Sequence, residues 1–494
     1  MNRRNLSIRT RESWVRHGFS VARFWPAVIL LVFFGGGSAE AMQNLIGDDQ
    51  SSSGAIGQDS SAREKLTLEQ ALSTAMSDNT NLQMAQQAVE LARAAGRSAL
   101  AAFNPDLSMI YSWTRLAAVS KISIPEVGDF TLSSKDTFRF GLTWKYPLFN
   151  GGQDIATKKA SEAGIETSQY RLDQAKMLVR VGVTIAYTMV LEAREGLKAK
   201  KASLDHLTEM LRVTQASYDA GYLPQSALLS IQVARAQAEQ AVSEMERNIE
   251  LAQSGLALAI GADITRRWEL TPVEFPEKDV PYSMDTLWDW AVAQRPELKE
   301  INSQRDALLA QMDAVRSARK PRINFQGDYS KSASNPVLTG AGSGFGGGAN
   351  LSGTIGIFWD IYDFGSNDAM LAPMREQLKL LDTQEDSLKD QVKQEVESAL
   401  LNVRTQLGNL GVMRKAVAQA EEAYRVALRR QQEGLGITLE VLNAESTLAQ
   451  ITAGLLHIQY EYYRGLANLA QSTGMTTHDL IALLTASGKG VENK

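Results

Sequence analysis

The chain has 494 residues, 44% of them hydrophobic, with no cysteine and a formal net charge of -5. That ordinary apolar fraction does not indicate a polytopic helical membrane protein. The missing thiols exclude disulfides, zinc–thiolate sites, cysteine nucleophiles and an acylated lipoprotein cysteine. Six Arg and two Glu fall in residues 1–41, so the rest is more acidic still, which argues against nucleic acid as a partner.

Arg3, Arg4, Arg9, Arg11 and Arg16 precede an apolar run over 24–34, and residues 35–41 end in Ala39-Glu40-Ala41. This order predicts an export leader, residues 1–41, cleaved after Ala41. The alternative, a retained anchor, needs ~20 apolar residues, and the run is shorter. Residues 42–62, with Ser51-Ser52-Ser53, read as a flexible lead-in. The four His (His17, His206, His457, His478) have no ligand spacing and read as plain solvent or interface residues; no metal or cofactor is expected.

A first unit spans 63–270. Leu68, Leu72, Ala75, Leu82, Ala85 and Val89 recur at three and four residues, predicting one helix over 66–102 that Asn104-Pro105 stops. The period then changes to two. In 106–115 Leu107, Met109, Tyr111 and Trp113 alternate with polar residues, Ile110 being the exception; in 138–146 Phe138, Phe140, Leu142, Trp144 and Tyr146 alternate throughout. Residues 116–137 read as the loop between two strands. A helix over 152–218 follows, ~100 Å long at ~1.5 Å per residue, with Leu197, Leu204, Leu211 and Tyr218 seven apart. Within it 177–191 mimics a membrane span, but it is short and holds Arg180, so a helix buried on two sides is the better reading. Gly221-Tyr222-Leu223 turns the chain into a return helix over 225–260.

Pro272, Pro276 and Pro281 mark a linker, 271–284. A second unit, 285–476, repeats the plan: strands 322–330 and 350–361 with a Gly- and Ser-rich loop between, a helix over 366–432, a turn at Gly434-Leu435-Gly436, and a return helix over 438–470. Pro373 should bend the long helix locally. Residues 477–494 remain as a tail. The units align at an offset of 216 residues through Pro105 on Pro321, and at 213 from Phe149 on Tyr362 through Gly221 on Gly434 to Gly261 on Gly474. A register held that long implies a tandem duplication.

Strands of about ten residues, apolar on one face and polar on the other, match membrane β-barrel strands. Trp113, Trp144, Tyr146 and Trp359 sit near strand ends, where membrane-interface aromatics belong. A half-buried soluble sheet has the same local pattern. Four strands cannot close a barrel, and open edges do not survive in lipid. Such a chain must pool strands with copies of itself, its helices projecting from the membrane as a second tube. Export leader, strands and coiled-coil helices together describe a pore through an outer membrane reaching into the periplasm.

The residues resemble the TolC-type outer-membrane efflux factors over about 66–475. The likeness is carried by Leu66-Thr67-Leu68-Glu69-Gln70-Ala71-Leu72, Arg295-Pro296-Glu297-Leu298, Asn104-Pro105 and Lys320-Pro321, Tyr146-Pro147-Leu148-Phe149-Asn150-Gly151-Gly152, and the tips Tyr218-Asp219-Ala220-Gly221 and Gln432-Glu433-Gly434. The resemblance implies a mainly α fold with a membrane β-barrel portion. A homotrimer would form a 12-stranded β-barrel continuous with a 12-helix periplasmic α-barrel. It also implies an exit duct for efflux or type I secretion, docked on a periplasmic adaptor that carries an inner-membrane transporter of RND, ABC or MFS type. The tips Gly221, Tyr222, Leu223, Gly434, Leu435 and Gly436 would meet the adaptor; plain turn glycines fit the same pattern. Glu440 stands where a family constriction carboxylate lies, and Asn443 where a second is often found; an ordinary solvated helix residue is the alternative for Glu440. Gln431, Gly436 and Ala227 replace the Tyr, Arg and Asp of a known ionic lock, so that lock is not expected. A competing class is a trimeric, non-channel, adhesin-like surface protein with a helical stalk. No nucleophile–base set appears, and no strand-to-helix unit follows the 342–348 glycine run to make it a phosphate cradle, so an enzyme is not expected.

Overall fold

A computed structural model describes residues 64–119, 121–126, 128–131, 134–339 and 349–487. The expected leader, the lead-in and the 342–348 glycine run lie outside those residues. In chain order the first half contains β1 (Lys65–Leu66), α1 (Leu68–Asp78), α2 (Thr80–Ala101), β2 (Asp106–Arg115), β3 (Lys121–Ile124), β4 (Gly128–Thr131), β5 (Asp136–Asn150), α3 (Gln153–Asp219), α4 (Gln225–Ile260) and β6 (Glu269–Leu270). The second half contains α5 (Met284–Gln294), α6 (Pro296–Ser317), β7 (Arg322–Ala333), β8 (Ala349–Phe358), α7 (Ser366–Gln432), α8 (Thr438–Ser472) and α9 (Thr477–Ser487). The fold is mainly α, and its unit of two helices, two strands, one long helix and a return helix occurs twice.

Both long helices, α3 and α7, have 67 residues, ~100 Å at ~1.5 Å per residue. Between them and their return helices lie three buried clusters. One joins α1, α3 and α4 around Val183, Tyr187, Leu256 and Ile260. A second joins α5, α7, α8 and α9 around Leu287, Val396, Leu466 and Leu480. The third, Leu207, Met210, Ile231 and Val441, lies toward the helix tips. The stretch that mimics a membrane span is core: Val179, Val183, Tyr187 and Leu191 are buried in the first cluster. The Tyr187 hydroxyl donates toward the carbonyls of Thr271 at 2.7 Å and Leu66 at 2.9 Å, tying the parallel β1–β6 pair to α3.

Several boundaries differ from the sequence reading. The helix expected over 66–102 breaks at Asn79, whose ψ of 123° is extended; its side chain accepts from Asn81 N and Leu82 N and so caps α2. The loop expected over 116–137 contains the β3–β4 hairpin. The strand β5 does not stop at Tyr146 but continues through Pro147 to Asn150; β2 ends opposite Lys145, so Pro147 lies where β5 is an edge, next to a register shift between Pro147 and Phe149. Conversely β8 ends at Phe358 rather than at residue 361. The tail includes α9, whose Leu480 and Leu484 are fully buried.

Candidate functional site

The main sheet has four antiparallel strands in the order β2-β5-β7-β8. Directly opposed residues lie on one face of a sheet, so the pairing settles what each face carries. Leu107 opposes Trp144, Met109 opposes Leu142, Tyr111 opposes Phe140 and Trp113 opposes Phe138. Leu142 opposes Tyr329, Tyr146 opposes Phe325, Phe325 opposes Ile355 and Ile323 opposes Ile357. One face is therefore predominantly apolar from edge to edge, with Lys331, opposite Phe140 and Ala349, as a charge toward its loop end. It is not covered: Leu107, Met109, Ile355 and Ile357 are all exposed. A contiguous bare apolar face of this size needs a nonaqueous neighbour.

Aromatic pairs knit that face. Trp144 meets Phe325 edge-on at 5.1 Å, and Phe140 meets Tyr329 edge-on at 6.3 Å. Phe325 also lies over Gly327 and Gly353, whose missing side chains leave the room. The opposite face is polar. Thr143 and Gln326 each donate to one oxygen of Asp328, both at 2.9 Å. Ile110, the exception to the alternation, lies over Gly141 on this face; a Cβ at 141 would meet its methyl at 2.9 Å.

Of the four expected interface aromatics, Trp113 lies toward the loop end of β2 and donates its Nε1–H to Asp136 at 3.1 Å. Trp144, Tyr146 and Trp359 lie toward the helical end. Trp359 is just past the end of β8 and donates to the Arg319 carbonyl at 3.1 Å. From Phe138, beside Trp113, to Tyr146 the strand covers ~26 Å at ~3.3 Å per residue. At the ~35–45° tilt of membrane strands this run rises ~20 Å, most of the ~25 Å apolar band of outer-membrane barrels. Among the described residues no helix is long and apolar enough to cross a membrane.

At the other extreme of the long helices, both tips close by the same backbone arrangement. Gly221 N–H donates to Tyr218 O at 2.8 Å and Tyr222 N–H to Ser217 O at 2.9 Å. Gly434 N–H donates to Gln431 O at 3.0 Å and Leu435 N–H to Arg430 O at 2.8 Å. These are paired Schellman bonds, which put the residue after the helix cap in the left-handed region; Gly221 has φ 81° and Gly434 has φ 74°. No atom lies within 4 Å of where either Cβ would be, so reversal of the chain, not close approach, demands glycine there. Tyr222 is 84% exposed and Leu435 is exposed, while Leu223 and Gly436 are partly covered.

Glu440 lies in the first turn of α8 with its side chain exposed, where the helix N-terminus favours a carboxylate. Asn443, one turn on, borders a groove of about 840 Å³ between α3, α4 and α8, lined also by Lys200, Ser203 and Glu445. Of the three residues at the family's lock positions, Gln431 donates across the tip to Thr438 Oγ1 at 3.0 Å.

Two charged groups escaped the sequence reading. Glu445 is buried and accepts a hydrogen bond from Ser203, joining α8 to α3. Its signal was the spacing Thr438, Val441, Glu445, all buried on one helix face. Arg464, also buried, donates to Glu192 on α3 at 2.7 Å and pairs with Glu461 at 2.7 Å. His457 shares Glu192, at 2.9 Å.

A family model described as "Outer membrane efflux protein" matches residues 71–262 and again 287–475. The outer membrane efflux protein BepC of Brucella suis biovar 1 is 22% identical over 359 residues, 73% of this chain and 77% of that protein. The alkaline protease secretion protein AprF of Pseudomonas aeruginosa is 22% identical over 415 residues, 80% and 81% of the two chains. Two solved structures share the fold. CusC superposes with a TM-score of 0.71 at 19% identity, covering 83% of this chain and 92% of that one. VceC of Vibrio cholerae superposes with a TM-score of 0.69 at 17% identity, covering 83% and 96%.

Proposed function

This chain belongs to the outer membrane efflux protein family, and on that premise we propose that three copies pool their sheets into one outer-membrane barrel and their long helices into a periplasmic tube. The assembly is a passive exit duct for an efflux or type I secretion system. The observation that carries this reading is the sheet itself: one face predominantly apolar and largely bare, the other mainly polar, and both edges, β2 and β8, unpaired among the described residues. Bare apolar strands with open edges are stable in lipid only as part of a closed barrel. A helical stalk for adhesion has no use for such a face.

The tips at Gly221–Leu223 and Gly434–Gly436 form the periplasmic mouth and receive the adaptor, their exposed Tyr222 and Leu435 supplying apolar contact. The adaptor in turn holds an inner-membrane transporter of RND, ABC or MFS type. Glu440 from three copies surrounds the narrowest point and favours cations, with Asn443 as its uncharged neighbour. Purified protein in a planar bilayer should conduct ions, and Glu440→Gln should lower the cation-to-anion permeability ratio. Absence of conductance from a trimeric preparation would overturn the duct; an unchanged ratio would remove Glu440 from the constriction.

A further inference from the structure

The duplication carries the barrel joint between copies down to single residue pairs. Within the chain the two halves meet where β5 pairs with β7: Gly141 opposes Ser330, Leu142 opposes Tyr329, and Lys145 opposes Gln326. Advancing β5 by 213 residues gives β8, and moving β7 back by 216 gives β2. The hairpins verify both offsets, because Asp106 opposite Lys145 becomes Arg322 opposite Phe358, and both pairs occur. Applied to the β5–β7 joint, the same operation pairs the two free edges of successive copies.

We propose that β8 of one copy pairs antiparallel with β2 of the next in the register that sets Thr354 opposite Thr114, Ile355 opposite Trp113 and Phe358 opposite Ile110. The proposal rests on the exit-duct reading and specifies its seam. Three features of the single chain agree with it. The register continues each face across the seam, Ile355 meeting Trp113 on the apolar side; a slip of one residue would turn apolar side chains into the lumen. Ile110 and Phe358, large apolar side chains on the polar face of the two edge strands, are 58% and 57% exposed and fall opposite one another. Finally, β8 stops at Phe358 where its counterpart β5 runs on to Asn150. The stretch past that stop leaves Ile361 79% and Tyr362 74% exposed. β5 has a strand on each side and β8 has one. The second neighbour draws β8 onward, bringing Asp360 opposite Ser108.

A chain without cysteine suits a cross-linking test. Thr114→Cys with Thr354→Cys, and Ser108→Cys with Asp360→Cys, place thiols on opposed residues; Thr114→Cys with Ser352→Cys, and Ser112→Cys with Thr354→Cys, are offset by two. Opposed Cβ atoms lie ~4.5–5.5 Å apart and diagonal ones ~7–8 Å. Oxidation of the detergent-solubilised full chain with copper phenanthroline should therefore yield covalent trimers ~10-fold faster from the opposed pairs. Faster linkage in an offset pair, or none in either opposed pair while the particle has the mass of a trimer, overturns the register and leaves the duct standing. A monomeric wild-type particle overturns the duct and this seam with it. Should a double variant fail to assemble, co-expressed single variants Thr114→Cys and Thr354→Cys give the same reading as a covalent dimer.

Discussion

Gly261 sits directly on the break between α1 and α2: a Cβ there would meet the Asp78 carbonyl oxygen at 2.4 Å, and the residue has φ 85°. Its counterpart Gly474, φ 77°, sits in the same way on Gln294 and Arg295 at the break between α5 and α6. Gly261→Ala therefore meets both a left-handed backbone and a backbone clash, and should cost about 3 kcal/mol. Gly221→Ala, in open space, should cost only about 1 kcal/mol. Chemical denaturation of the two variants, compared with wild type, should rank them in that order.

Tyr187 is the pin between α3 and the β1–β6 pair. Burial pushes its hydroxyl up to about 12. Tyr187→Phe keeps the ring but leaves carbonyls of Leu66 and Thr271 short of a donor, and should cost about 1–3 kcal/mol. Amide hydrogen exchange should quicken at residues 65–66 and 269–271 before it does in α3.

Glu385 on α7 carries a pH dependence. The Lys389 ammonium and the Arg305 guanidinium on α6 hold its carboxyl below the usual carboxylate range. A lowered folded value means a contribution that is complete above the unfolded carboxylate pKa of about 4.3 and is lost as pH falls through the folded value. Glu385→Gln should lower stability at neutral pH by about 0.5–1 kcal/mol, and the gap to wild type should close as pH falls below the ordinary carboxylate range. Melting curves of both proteins across that range check it.

Arg464 bridges α8 to α3 through Glu192 with its side chain 8% exposed. Arg464→Met preserves bulk and leaves Glu192 and Glu461 without their guanidinium, at a cost of about 2 kcal/mol. The paired change Glu192→Gln should recover part of it, which a double-mutant cycle measures.

Asn443→Asp sets a second carboxylate one helical turn from Glu440. In the constriction proposed above, three such pairs should raise the cation-to-anion permeability ratio beyond wild type, read as a shift of reversal potential in a salt gradient.

The long helices and the strand alternation were legible because each is a long run with a single period, and the duplication repeats it. The breaks at Asn79 and Arg295 were harder to read. Apolar spacing carries on across Asn79, and only its capping bonds and the seat it offers Gly261 reveal the kink. The signal was nevertheless present: the 216-residue offset lays Pro296, a first-turn proline, on Thr80, which marks a helix start there. The carry-through of Pro147 was hidden for the opposite reason, since a proline inside a strand reads as an end unless the bulge after it is known. At the site, Ile110 was visible as an exception, but the vacancy over Gly141 that receives it belongs to the neighbouring strand. Glu445 and Arg464 look like surface charges in sequence and are buried only because α3 crosses them.

The two hairpins close identical rungs although their offsets differ by three residues, so the whole of that slip falls in the connections on the far side from the helices. In the barrel proposed above, those connections would face the cell's surroundings. A change in their length or sequence would leave the rungs of the wall in place. An epitope inserted at Pro125-Glu126, the turn of the β3–β4 hairpin, should accordingly be displayed on intact cells while conductance is retained.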